Sequence, residues 1–246
     1  MGWSMNMSIG WPNNTSGGIK PIPNLSLYVE PTTNIDIPPF TEGTEDGDFT
    51  IEWFARMNSD DNHPRAWSIG NYYDIGGAKA AVSIENGTFY FWVNGSIILS
   101  KNIDSYLQRW TWFMLQRFKS SVILYINGNF VEQAAFTGSI TSNGKPLYIA
   151  SEGVESLQNG LMSNFRWTVG TTAYSPPEET NYPVPISDLN NISAYTKLLC
   201  LQGTDLYHEL LDASNFNNTL VNGTGIYNSD NPFYPGNEGS LQFGTI

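Results

Sequence analysis

The sequence predicts an all-β protein: an antiparallel β-sandwich of the jelly-roll kind, carrying an extended N-terminal arm. Three observations predict it. Residues 110–136 hold three strand-like runs joined by tight reversals, a meander in which Val122, Leu124 and Ile126 share one face. Asn-Gly pairs recur at 86–87, 94–95 and 127–128, each between two such runs. Both residues tolerate the positive φ that a two-residue hairpin turn requires. Aromatic residues make up 14% of the chain, as many as the charged ones, which suits sheets better than helical bundles. No long amphipathic helical pattern interrupts this.

Residues 1–24 read as an extended arm and 25–246 as one jelly-roll domain. The arm is rich in Gly, Pro, Asn and Ser, yet it carries Trp3, Met5, Met7, Ile9 and Trp11. A solvated leader rarely holds such side chains, so the alternative is a segment that docks on a neighbouring subunit. Residues 25–29 form the first expected strand. Phe49–Met57 alternates cleanly: Phe49, Ile51, Trp53, Ala55 and Met57 on one face, Thr50, Glu52, Phe54 and Arg56 on the other. Strands follow over 65–72, 79–85, 88–93 and 96–100, with a short helical turn over 103–107. The meander occupies 110–117, 122–126 and 129–135. Strands over 146–150 and 161–169 lead into a Pro-rich crossing from Pro176-Pro177 to about Thr196. Runs at 197–201, 219–222 and 240–243 complete the series. Many short strands at this spacing specify a sandwich or jelly roll.

The formal charge of −12 is uneven: after Gly170 the only Lys or Arg is Lys197, and before Phe49 it is Lys20. Such a surface repels phosphate, so neither nucleic acid nor an anionic membrane is expected as a partner. Cys200 is the single cysteine, which excludes an intrachain disulfide. The first residues have neither a basic n-region nor an apolar h-region, so a signal peptide is not expected. No apolar run is long enough to span a bilayer.

Several stretches resemble the concanavalin A-like lectin/glucanase superfamily, in particular its laminin-G-like jelly-roll modules. Phe49–Arg56 (FTIEWFAR) looks like a core strand of that family. Trp110–Arg117 (WTWFMLQR) followed by Leu124–Val131 (LYINGNFV) is similar to its W-x-H-x-A-x-x-R … L-Y-x-N-G-x-x-V signature, with Trp112 where the family often has His. Gly160–Tyr174 (GLMSNFRWTVGTTAY) resembles a G-x-I-S-N-F-R segment of such modules in tailed phages and large DNA viruses. Lys197–Gln202, Leu211–Asn215, Asn217–Thr219, Val221–Gly223 and Asn231–Phe233 continue that match in order. The resemblance covers roughly residues 25–243. It implies the concanavalin A-like fold and a virion context, with other virion proteins or further copies of the chain as partners. It carries over no catalytic site.

Glucanases on this fold resemble one another in a strand of alternating carboxylates, which act as nucleophile and acid. This chain has no such strand. Glu42, Glu45, Asp46 and Asp48 cluster, but in a Gly-interrupted loop. Gly138–Lys145 has the wrong spacing for a phosphate loop and reads as an interstrand turn. His63 and His208 lack metal-ligand spacing. Cys200 sits in an apolar run and reads as a core residue. Asp60, Asp61 and Asn62 are the candidate calcium ligands; three oxygen-bearing residues in a row also make an ordinary turn. Otherwise no cofactor is expected.

A second aromatic face is the remaining signal. In Thr88–Val93, Phe89, Phe91 and Val93 point one way, Tyr90 and Trp92 the other, and Phe54 likewise opposes Trp53. Loops or the Pro-rich crossing could cover that face. Otherwise Phe54, Tyr72, Tyr73, Tyr90 and Trp92, with Trp3 and Trp11 of the arm, are the candidate contacts to a protein partner or a glycan. The expected function is therefore that of a non-enzymatic virion component: a minor capsid, capsid-decorating or tail-fibre protein. A carbohydrate-binding lectin-like module for host attachment is the alternative. A glycoside hydrolase working through Glu52 or Glu132 is the remaining one.

Overall fold

A computed structural model of the chain describes residues 26–29, 35–37, 47–57, 65–71, 79–150, 160–174, 181–202, 211–222, 226–228 and 232–233. They form fifteen strands: β1 (Ser26–Val29), β2 (Ile35–Ile37), β3 (Phe49–Met57), β4 (Arg65–Ile69), β5 (Ala80–Glu85), β6 (Thr88–Val93), β7 (Ser96–Asn102), β8 (Thr111–Phe118), β9 (Ser121–Ile126), β10 (Asn129–Ala135), β11 (Leu147–Ile149), β12 (Gly160–Val169), β13 (Thr196–Cys200), β14 (Val221–Asn222) and β15 (Ile226–Asn228). Every pairing is antiparallel. One sheet, A, runs β10-β9-β8-β3-β12-β1-β15, with β13 also paired to β12; the other, B, runs β14-β2-β11-β4-β5-β6-β7.

The alternation read from the sequence sets the sandwich. Phe49, Ile51, Trp53, Ala55 and Met57 of β3 all enter the core between the sheets, as do Phe113 and Leu115 of β8 and Val122, Leu124 and Ile126 of β9. Trp67, Val82, Phe89 and Phe91 meet them from sheet B. Trp53 stacks on Phe113 at 5.6 Å, and Trp67 meets Trp167 edge-on at 5.1 Å. Burying rings of this size stabilises the fold by roughly 1.5–3 kcal/mol each.

The Asn-Gly turns behave as their chemistry requires. Asn127 and Gly128 take φ of 49° and 77°, Asn94 and Gly95 of 48° and 75°. Asn143-Gly144 makes a further turn of this kind inside Gly138–Lys145, the expected interstrand turn. Strand β4 stops at Ile69 rather than at Tyr72, because Gly70 leaves extended geometry at φ 72°. The helical turn is a short 3-10 segment, Asp104–Tyr106. Strands β2 and β15 were not anticipated: three residues are too few for a periodic signal. The arm of residues 1–24, its boundary with the domain and the expected strand at 240–243 lie outside the described residues. No helix among the described residues is long and apolar enough to cross a membrane.

Strand β12 is the hinge of sheet A. Its first residues, Gly160–Met162, pair with β1, and Phe165–Thr168 pair with β13 along the same edge. Between them the register against β3 slips by one residue, between Ser163 and Arg166, where Asn164 takes φ 54°. This is a β-bulge, and it re-aims the side chains beside it.

Candidate functional site

The outer face of sheet A is sealed by the chain itself. Phe54, Trp112, Met114, Ile123, Tyr125 and Leu199 form a second apolar cluster there, capped by Tyr182 and Leu189 of the crossing and by Tyr174 and Phe233. Three anchors hold the cover down. Tyr182 N–H donates to the Gly128 carbonyl at 2.8 Å, and Asn181 bridges to Asn129, so the crossing docks on the β9–β10 turn. A Cβ on Gly128 would stand 1.8 Å from the Tyr182 carbonyl oxygen, which explains glycine at that position beyond its φ.

The second anchor is Asn164, fully buried in the bulge. Its Oδ1 accepts from Leu189 N–H at 2.9 Å and from Gln202 at 3.0 Å, and its Nδ2 donates to Asp188 at 3.0 Å. The third is Arg166, whose Nη1 donates to the Asn190 carbonyl at 2.7 Å. The run Ser163-Asn164-Phe165-Arg166 is thus a device for fastening the crossing to the sheet.

Arg166 also meets Glu52 from the neighbouring strand. Arg166 Nε donates to Glu52 Oε1 at 2.8 Å, Trp112 Nε1 to Oε2 at 3.1 Å and the Tyr174 hydroxyl to Oε2 at 2.9 Å. Glu52 is fully buried. Burial pushes its carboxyl above the usual carboxylate range, against the opposing pull of Arg166, Tyr174 and Trp112. The Tyr174 hydroxyl is raised as well, by burial and by the Glu52 charge. With Arg166 Nη2 as a fourth donor to its two oxygens and no exposed surface, Glu52 is a structural acceptor. Trp112, standing where the family often has His, supplies one of those donors.

Sheet B presents a different outer face. Because Phe91 and Val93 enter the core, Tyr90 and Trp92 face outward, half-buried, with ring centroids 5.8 Å apart. Trp92 Nε1 donates to Ser83 Oγ at 2.9 Å, which lays the indole back across β5. The register places Tyr148, Ser68, Ala81, Trp92 and Ile97 in one row across five strands. Tyr148 and Trp92 therefore flank two small residues across three strand spacings, about 14 Å. Ile97 ends the row at 49% exposure.

Of the residues expected to make contacts, the structure brings Tyr90 and Trp92 together on this face. Phe54 is not part of it: the ring is 3% exposed, stacked on Trp112 and met edge-on by Phe233 at 5.1 Å, because the cover lies over it. Trp3, Trp11, Tyr72 and Tyr73 lie outside the described residues, as do the candidate calcium ligands Asp60, Asp61 and Asn62. Among the described residues no cluster of His, Cys, Asp or Glu could hold a metal ion. Cys200 is buried in the core. Sequence reasoning missed the Glu52–Arg166 pair; the available signal was a Glu next to Phe54 on the second face of β3, a face that Phe54 makes partly apolar.

Glu52 and Glu132 do not form a hydrolytic pair. Glu132 sits level with Ile51, in the order β10-β9-β8-β3, so three strand spacings, about 14 Å, separate the backbones of the two carboxylates. Glycosidase carboxyl groups stand roughly 5–9.5 Å apart. Glu132 is instead bonded to Lys101 at 3.1 Å, and that bond holds its carboxyl below the usual range.

A comparison with protein families agrees with this architecture. Residues 30–171 match the Laminin_G_3 family model, described as the concanavalin A-like lectin/glucanases superfamily. No curated protein matches the chain. Among solved structures, the chain is similar to domains LG4-5 of the mouse laminin alpha1 chain, at 17% identity and TM-score 0.44 over 58% of this chain and 40% of that one. The match thus spans two fifths of the laminin chain. It is also similar to a heptameric SAP-like pentraxin from Limulus polyphemus, at 15% identity and TM-score 0.45 over 59% of this chain and 76% of that one. A third likeness is domain 4 of AbnA, an extracellular arabinanase of Geobacillus stearothermophilus in complex with arabinotriose: 12% identity and TM-score 0.44, over 58% and 69% of the two chains. With its two antiparallel sheets, its SNFR bulge and a family match over more than half its length, this chain belongs to the concanavalin A-like lectin/glucanases superfamily as a laminin G-like jelly roll.

Proposed function

We propose that the protein is a non-enzymatic structural component of a virion, in a minor capsid, capsid-decorating or tail-fibre role, and that it works by contact through the outer face of sheet B. One observation carries the contact reading. The chain covers the aromatic face of sheet A with its own crossing, whereas Tyr90, Trp92 and Ile97 on sheet B stay partly open. Tyr and Trp are favoured interface anchors because they bury a large apolar area and keep a polar tip. The virion setting is supported by the ordered resemblance of Gly160–Tyr174 and the segments after it to phage and large-virus modules. Mass spectrometry of purified particles tests it: the protein is expected in the particle at fixed copy number. Absence from clean particles removes the virion setting. Particles that incorporate Trp92→Ala as well as the native chain remove the contact surface.

A second reading rests on the same rings. Tyr90 and Trp92 stand beside the exposed hydroxyl of Ser100, which is level with Tyr90, an arrangement suited to stacking on a pyranose while bonding one of its hydroxyl groups. Saturable binding on a glycan array, abolished by Trp92→Ala or Tyr73→Ala, would select this reading over protein contact.

A further inference from the structure

The crossing that seals sheet A also presents a surface of its own. Between Tyr182 and Leu189 the chain reads Pro-Val-Pro-Ile-Ser-Asp. Proline holds its own φ near about −65° and drives the residue before it into extended geometry. Tyr182, Pro183, Val184 and Pro185 are therefore all confined to polyproline-like backbone. Both ends of the segment are pinned. Tyr182 is buried and its N–H donates to the Gly128 carbonyl; Leu189 is buried and its N–H donates to Asn164. What lies between is a short stiff strap with its apolar side chains turned to solvent: Val184 is 40% exposed and Ile186 90%. A single exposed apolar side chain is ordinary on a protein surface. A pre-ordered pair set among two prolines has the form of a ligand, because a polyproline segment loses little entropy on docking and lays its rings against aromatic side chains.

The outer face of sheet B has the matching form. Trp92 and Tyr148 are both half-buried, and in their row only Ala81 and Ser68 stand between them. Two small residues between two aromatic ones make a trough about 14 Å long. Tyr90, packed against Trp92, widens its aromatic end. The four steps from Tyr182 to Ile186 cover about 12 Å at polyproline pitch, and three residues per turn sets Pro183 and Ile186 along one edge. The strap and the trough are thus of one length, one supplying proline rings and an apolar tip, the other aromatic walls.

We propose that the strap, residues 183–186 of one copy, seats in the trough between Tyr148 and Trp92 on sheet B of a second copy. The inference deepens the contact reading above and rests on it: it names what the face of sheet B receives. The choice of a second copy follows from where the two halves lie. The chain carries both, on opposite outer faces of the sandwich, and the strap is fastened to sheet A at both ends, so one copy cannot fill its own trough. Charge points the same way. Residues 181–187 hold no charged side chain, and neither does the row of Tyr148, Ser68, Ala81, Trp92 and Ile97. A chain of net charge −12 meets its own kind with least repulsion where two such surfaces face each other. Because the two surfaces differ, the contact is heterologous. Each copy gives a strap to one neighbour and takes one from another, so copies join head to tail into a ring or an open row.

The test uses full-length chains in sedimentation equilibrium. The native chain is expected to exceed the mass of one copy, and increasingly so as concentration rises. Ile186→Asp places a charge on the exposed tip of the strap; it should weaken this association at least about tenfold and leave the melting curve unchanged. Trp92→Ala should weaken it as much. Each variant keeps the half that the other lacks, so an equimolar mixture of the two should form pairs that stop at two copies. A single-copy mass for the native chain at every concentration overturns the inference. So does association that Ile186→Asp leaves intact, and so does a mixture that restores no pairs. Ile186 belongs to this inference alone, whereas Trp92 serves both readings. Particles that exclude Trp92→Ala but incorporate Ile186→Asp keep the contact face and give it a different occupant, which overturns the inference and spares the contact reading. Particles that incorporate both variants, with pairing still restored in the mixture, remove the contact reading and uphold the seating of strap in trough.

Discussion

Glu52 on β3 and Arg166 on β12 lie 114 residues apart in the chain and share a hydrogen-bonded ion pair sealed beneath the crossing. Tyr174 joins the pair to its cover: its hydroxyl donates to Glu52 and accepts from Arg166 Nη2, and its ring caps the second apolar cluster. The pair thus ties the central strands of sheet A to the segment that covers them.

Removing one partner leaves a buried charge. Glu52→Leu should destabilise the protein by about 3–5 kcal/mol, while Glu52→Leu with Arg166→Met should recover most of that loss, since a buried pair adds little net stability over apolar packing. Chemical denaturation of the three proteins measures this. An equal loss in the single and double variants would mean that the charge is not the cause.

The same carboxyl predicts a pH dependence. Burial raises its native pKa above the ordinary 4.5, so between those values the folded state holds a proton that the unfolded chain has released. Stability is therefore fully present below the ordinary value and declines as pH rises through the raised one. Glu52→Gln cannot ionise and should abolish this part of the slope. Melting temperatures across pH 4–8 for the two proteins should converge or cross, rather than run parallel.

Gly128 and Gly95 share nearly the same backbone, φ 77° and 75°, but only Gly128 lies against a neighbour. Gly95→Ala should cost about 1–2 kcal/mol, the strain of the left-handed region alone. Gly128→Ala should cost clearly more and open the crossing to proteolysis, because the new Cβ displaces Tyr182. Equal losses in thermal melts would show that the docking is weak.

Asn164→Ala should cost on the order of 3 kcal/mol. It leaves the Leu189 N–H and Gln202 without their buried acceptor and puts a Cβ-only side chain at φ 54°. Asn164→Gly removes the backbone part and keeps the hydrogen-bond part, so the difference between the two variants measures the strain.

Trp92→Ala and Trp112→Ala separate surface from core. Trp112 is fully buried and bonded to Glu52; its loss should cost about 3–5 kcal/mol. Trp92 is half-buried, and its loss should cost about 1–2 kcal/mol while abolishing the contact proposed through the outer face of sheet B. A collapse of stability with Trp92→Ala would mark that ring as packing rather than contact.

The sequence by itself determined the strands that make the sandwich and the faces they bury. In β3, β6 and β9 alternation assigned every inward side chain, and the Asn-Gly pairs placed the hairpins, because a period of two and a positive φ are local properties of the chain. What lies over the outward faces was decided only by the tertiary structure. Phe54 and Tyr90 read alike in sequence, each an aromatic ring opposite a core residue. One is sealed under Phe233 and Trp112, while the other remains partly open beside Trp92. That difference depends on where the crossing and Phe233, both more than a hundred residues downstream, come to rest. The place of the crossing is set by Gly128, Asn164 and the Glu52–Arg166 pair, whose partners become neighbours only when the sheet has formed.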